Sequence, residues 1–230
     1  MLEYHAEVIK TINDVYPINV ADSISFESYC RVAALSASKK IINIPSKQEM
    51  FYHEALNDFL SSHIMINLGS SRVALTALRA IIENFLYYFY YIDHPVEFDL
   101  WKKGDFRIKF SELFDYLKKH PKVIEVGTPQ VVENLQKEYA TLSMAVHGSS
   151  DKFMMTAQDN FPHIFQAKTE IMSQWNSRAK SVFICIMKII FSFYKDSFIT
   201  VAHKHERKII SLALGVKQST QISSQIGINL

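Results

Sequence analysis

The 230-residue chain has only two cysteines, six glycines and six prolines. Cys30 and Cys185 stand far apart with no CxxC spacing, so neither a disulfide framework nor a cysteine zinc site is encoded. The shortage of Gly and Pro argues against a fold of many short strands, because each hairpin or sandwich corner consumes turn residues. Charge is nearly balanced, with 25 Lys and Arg against 23 Asp and Glu, so net charge alone announces no nucleic-acid partner. A long unbroken apolar run is also missing. The best candidate, residues 182–202, is interrupted by Lys188, Lys195 and Asp196 and reads as a buried core helix, not a membrane span. No Gly-rich phosphate loop, GxSxG elbow or HExxH occurs, which removes the sequence support for ATP-driven and serine-hydrolase chemistry. The opening MLEYHAEVIKTIND carries acids within its first seven residues and lacks the basic flank and apolar stretch of a signal peptide, so a cytoplasmic protein is expected.

What is abundant is apolar and aromatic. Hydrophobic residues make up 48% of the chain, with 16 Phe and 11 Tyr, enough for a sizeable core. Apolar residues recur at helical spacing nearly throughout, which predicts an all-α antiparallel helical bundle over residues 1–214 and a polar, flexible tail over 215–230. Helices are expected from Leu2 to Val15, closed by Pro17, and from Ile24 to Ile42. A third is expected from a capping box of Ser46 and Glu49 to about Asn67. The fourth, from Ser70 or Ser71 to Pro95, is apolar or aromatic on nearly every face and should be central. A short helical turn in PVEFDLWKK, a break at Gly104 and a helix over Phe110–Lys119, ended by His120 and Pro121, come next. Thr128 and Pro129 then open a helix reaching Val146, with Gly148 as its stop. After an irregular stretch over 151–160, Pro162 opens a region in which Trp175, Ala179, Val182, Ile186, Ile190 and Phe193 form one stripe. A basic helix from about His203 to Leu214 completes the set. Charge is unevenly spread: from Arg178 onward eight Lys or Arg face two acids, a balance of +6, against −4 for residues 1–177.

Two helices carry polar stripes. On the central one Arg72, Thr76, Arg79, Glu83 and Tyr87 share a face; on the helix after Thr128, Tyr139, Ser143 and His147 do. A buried Arg and Glu must satisfy each other or a ligand, since an unpaired charge in a dry core costs several kcal/mol. One reading is an Arg79–Glu83 pair that orients a neighbouring helix, with His147 as a C-terminal dipole partner. The other is that both stripes meet between packed helices, where an Arg, a Glu, a Ser and a His bind phosphate and move a proton.

The segments LRAIIENFLYYFYYIDHPVEF and LQKEYATLSMAVHGSS resemble the divergent end of the HEPN superfamily, the helical-bundle proteins frequent in bacterial toxin, abortive-infection and phage-defence systems. The resemblance covers about residues 46–150. It implies an RNA-directed effector, with RNA-cleaving members dimerising and joining an Arg and a His of two subunits in one metal-independent cleft. His147 matches the family histidine. The family arginine has no match: Ala140, Thr141 and Leu142 occupy its positions, and none of Arg31, Arg72, Arg79, Arg107, Arg178 or Arg207 precedes a His at the family spacing. An active ribonuclease would therefore need Arg79 from the other stripe. His147 would then act on the ribose 2′-hydroxyl as general base or acid, and Arg79 would stabilise charge on phosphorus. Glu83 would hold Arg79, with Tyr139 and Ser143 as positioning groups.

Weaker signals remain. Asp93, His94, Pro95 and Glu97 read as a helix junction more readily than as a metal site, and His203, Lys204, His205 and Glu206 as basic surface. No metal or cofactor is expected. Arg72, Lys204, Arg207 and Lys208, with Lys180, Lys188 and Lys195 nearby, are candidate nucleic-acid contacts. The contrasting function is a non-catalytic helical subunit that docks a partner protein, encoded by a neighbouring gene, or a nucleic-acid complex.

Overall fold

The structure, a computed structural model, describes residues 2–42, 44, 47–147, 169–199 and 203–230. It is an all-α bundle, with no strand among the described residues. The helices are α1 (Leu2–Val20), α2 (Ser23–Ile41), α3 (Glu49–Asn67), α4 (Ser71–Asp93), α5 (Pro95–Lys103) and α6 (Phe110–Lys119). They continue as α7 (Pro121–Glu125), α8 (Pro129–His147), α9 (Thr169–Phe193), α10 (Lys195–Ile199), α11 (Lys204–Leu214) and α12 (Val216–Ile226). Among the described residues no helix is long and apolar enough to cross a membrane.

α4 is the central apolar helix. Eleven of its side chains are buried, from Ala74 to Tyr91, and α3, α6, α8 and α9 pack around it. Burial of each large apolar side chain stabilises the fold by roughly 1.5–3 kcal/mol. The α3–α4 pairing is antiparallel and pinned at both ends: Ser62 Oγ donates to the Ala74 carbonyl at 2.7 Å, and Gln48 Nε2 to the Tyr91 carbonyl at 3.0 Å. Trp175 of α9 donates its indole N–H to the same Ser62 at 3.0 Å, which locks the third helix against the pair. The predicted α9 stripe from Trp175 to Phe193 is buried throughout.

Four expectations meet a different local structure. Pro17 lies inside α1, which continues to Val20; the missing N–H leaves the Asn13 carbonyl without its helical donor but does not end the helix. Pro121 begins α7 instead of closing α6, and His120 is the N-cap, its Nδ1 accepting from the Lys122 amide at 3.2 Å. α3 starts at Glu49, so Glu49 is at the first helical position and pairs with Lys39 Nζ at 2.8 Å and His53 Nε2 at 3.4 Å. Ser46, Gly148, the irregular stretch 151–160 and Pro162 lie outside the described residues. The segment 215–230, expected as a flexible tail, forms α12 and buries Ile222, Ile226 and Ile228 against the bundle. Its Ser- and Gln-rich composition hides Ile222 and Ile226, four apart on one face of α12, and Ile228 just past its end.

Candidate functional site

α4 and α8 run antiparallel, and this places the two polar stripes in contact. Arg79 Nη2 lies 2.9 Å from Glu83 Oε1 and donates to the Tyr139 hydroxyl at 3.1 Å. Tyr139 in turn donates to Glu83 Oε1 at 3.1 Å, and the Arg79 guanidinium sits 5.1 Å from the centroid of the Tyr139 ring. The three groups form a closed ring, half-buried, with 20% and 25% of the Arg79 and Glu83 side chains exposed. Arg79 Nε is buried and has no hydrogen-bond partner among the described residues. Burial pushes the Tyr139 hydroxyl above its ordinary pKa, with the Arg79 hydrogen bond acting against it. Phe110 and Phe114 of α6 flank the ring of Tyr139.

The remaining stripe residues do not join this ring. Ser143 Oγ donates to the Tyr139 carbonyl of its own helix at 2.7 Å, and Thr76 Oγ1 to the Arg72 carbonyl at 2.9 Å. Tyr87 belongs to an aromatic cluster with Phe51, Tyr91, Trp101 and Phe110. Arg72 reaches across to the far end of α8, where its Nη2 donates to the Val146 carbonyl at 2.9 Å. His147 is the last residue of α8, exposed and without a hydrogen bond or ion pair among the described residues. It lies eight positions beyond Tyr139, roughly 12 Å along the helix axis, so one chain does not bring Arg79 and His147 to the same atom. The ring is a helix-to-helix lock, and the histidine stands apart from it.

The cations of the carboxy-terminal region are differently placed. Lys204, Arg207 and Lys208 of α11 line a groove of about 790 Å³ together with Ile199, Leu212 and Val216. None of the three has an ion pair among the described residues. Arg207 Nη1 donates to the Asn229 carbonyl at 3.1 Å, while its Nε and Nη2 are buried with no hydrogen-bond partner among the described residues. Lys180 and Lys188 line a separate groove of about 510 Å³ along α9; Lys188 is held by Gln221 Oε1 at 3.2 Å, and burial lowers its pKa. Lys195 opens α10.

One polar constellation had no sequence signal beyond a helix junction. Asp93 Oδ2 accepts from His120 Nε2 at 2.9 Å and from the Tyr116 hydroxyl in a very short hydrogen bond. His120 is buried and stacked on Phe193 at 4.4 Å. With Nε2–H committed to Asp93 and Nδ1 accepting from the Lys122 amide, both ring nitrogens are used structurally. His94 bonds the Tyr90 carbonyl, and no cluster of three metal-ligating side chains occurs among the described residues. A helix-capping His followed by Pro, with an Asp at the preceding helix end, is the pattern that could have revealed this joint.

Compared with family models, curated proteins and solved structures, the chain matches none.

Proposed function

We propose that the protein is a HEPN-like, RNA-directed helical effector of a bacterial defence or toxin system, in which α11 carries the RNA contact and the Arg79–Glu83–Tyr139 ring holds the scaffold. The observation that supports this best is the convergence of Lys204, Arg207 and Lys208 on one open groove without a carboxylate partner among the described residues. At spacings of three and four they share a helix face, so a phosphate backbone meets several cations at once. The pairing of α4 with α8, which carry the two HEPN-like segments, is consistent with that family's bundle. RNA binding titrated with salt tests the reading. Lys204→Glu with Lys208→Glu, both exposed, should weaken binding at least about tenfold and lower the salt slope by about 2. Unchanged affinity and slope would remove the proposal.

Metal-independent cleavage is a second reading, favoured by the exposed imidazole of His147, without a partner among the described residues, and by the Arg72 guanidinium on the adjacent carbonyl. The Arg79 and His147 positions make it depend on a homodimer, in which an arginine of one chain meets His147 of the other. Solution mass and RNA cleavage by His147→Ala decide it. A monomer, or cleavage unaffected by the substitution, leaves an RNA-binding or partner-docking subunit without this chemistry.

A further inference from the structure

Arg31 on α2 is the most deeply buried cation of the described residues, 1% exposed. Its Nη2 makes its hydrogen bonds among the described residues, 3.1 Å from Glu27 Oε2 and 2.5 Å from Asn176 Oδ1, and these two neighbours orient the guanidinium. Nη1 is buried and has no hydrogen-bond partner among the described residues. Such an orphaned charged donor costs more than an ordinary missing hydrogen bond. The compensation from Glu27 is weak, because that carboxylate is 56% exposed and its charge is screened by water.

Arg31 lines a cavity of about 210 Å³, the share of roughly seven water molecules, whose other walls add further positive charge. Lys180 of α9 lines the same cavity, exposed and with no ion pair among the described residues. Gly215 also lines it and is the N-cap of α12, an 11-residue helix whose cap has no side chain to satisfy the first free amides. Gly215 holds φ +77, a conformation open to glycine at little strain. A buried guanidinium, a lysine and an uncapped helix N-terminus all favour negative charge at one place. The wall's single acid, Glu27, leaves the side chains at net +1.

We propose that this cavity between α2, α9 and the α11–α12 turn is an oxyanion site that takes a phosphate group, free or as a monoester. It shares Leu212 and Gly215 with the α11 groove, but its donors are different and the proposal does not rest on RNA binding there.

Cys30 supplies a local readout because it lines the same cavity, whereas Cys185 is buried elsewhere. The experiment is alkylation of the intact protein by iodoacetamide at mildly alkaline pH, followed residue by residue by mass spectrometry. Sodium phosphate and a nucleoside 5′-monophosphate are each compared with sodium chloride at equal ionic strength. Either phosphate should slow Cys30 modification saturably by at least about threefold at about 10 mM, with Cys185 slow throughout as the sign of an intact fold. Protection by inorganic phosphate supports the site with a free-phosphate source, and protection by the nucleotide alone supports it with an esterified one. Lys180→Glu and the conservative Arg31→Lys should both lose the protection. Lys204→Glu with Lys208→Glu should keep it. The proposal is overturned if neither phosphate protects Cys30, if Lys180→Glu remains protected, or if the α11 substitutions abolish the effect.

Discussion

The α4–α8 ring and the carboxy-terminal basic region contain the same kinds of side chain arranged to opposite ends. In the ring, Arg79 has a carboxylate at 2.9 Å and a phenol at 3.1 Å, and all three groups bridge two helices. In the basic region Lys204, Arg207, Lys208 and Lys180 have no carboxylate partner among the described residues, and cavities open beside them. A charged group closed by its neighbours has its binding capacity consumed by the fold. One held next to open volume and left unpaired retains it for a ligand. The contrast therefore separates scaffold from contact surface more reliably than the presence of Arg, Glu or His in a stripe.

The sharpest way to break the comparison is to open the ring. Arg79→Met or Glu83→Gln, each leaving one half-buried partner uncompensated, should destabilise the fold by about 2–3 kcal/mol in chemical denaturation. The double variant should lose at least about 1 kcal/mol less than the two added together, because the residues act as one unit. RNA affinity should stay within about twofold in all three at constant salt. A single variant that folds with full stability but loses RNA binding or cleavage would move the ring from scaffold to functional site.

Much of this architecture is legible in the residues themselves. The α4 and α9 apolar stripes are periodic enough to place two buried helices, and the polar stripes of α4 and α8 put Arg79 and Glu83 on one helix face and Tyr139 on another, because helical spacing is local information. The axial offset between Arg79 and His147 is not local. It depends on the antiparallel register of α4 and α8, which the Arg72–Val146 and Arg79–Tyr139 contacts set. Pro17 and Pro121 show a second limit, since a proline that looks like a stop can sit inside one helix or open the next. Arg31 shows a third. Nothing in SYCRVAAL distinguishes it from a surface arginine, and it is the packing of α3, α9 and α11 around α2 that buries it.

A smaller effect is expected at the far end of the α4–α8 pair, where the comparison is blurred because Arg72 was also a candidate for nucleic-acid contact. A cation in the first turn of α4 is unfavourable for that helix, but its reach to the Val146 carbonyl places it at the C-terminus of α8, where positive charge is favoured. Arg72→Ala should cost about 1–1.5 kcal/mol and speed amide exchange in the last turn of α8, with RNA affinity unchanged. A fall in affinity with no change in exchange would reassign Arg72 to the contact surface.

The smallest effect concerns the acidic side of the ring and is read through pH. Asp58 of α3 is half-buried, accepts from Asn84 Nδ2 at 2.8 Å, and faces Glu54 and Glu83; burial raises its carboxyl to about 6, with the Asn84 hydrogen bond opposing and the two carboxylates reinforcing the rise. In the unfolded chain the group ionises near the ordinary aspartate value of 3.8. The fold therefore prefers the protonated form. Its contribution to stability is complete below pH 3.8 and is lost as pH rises through about 6. Asp58→Asn keeps the acceptor for Asn84 and removes the ionisation, so the variant should be more stable than wild type above pH 7 by about 1 kcal/mol, discounted for partial solvent screening. Near pH 4 the two proteins should unfold together. The stability difference, followed by chemical denaturation between pH 4 and 8, should grow across the interval ending near pH 6.5. A constant difference would mean that Asp58 is ionised in the fold at all these pH values. The carboxylates around Arg79 would then be better solvated than the closed ring implies.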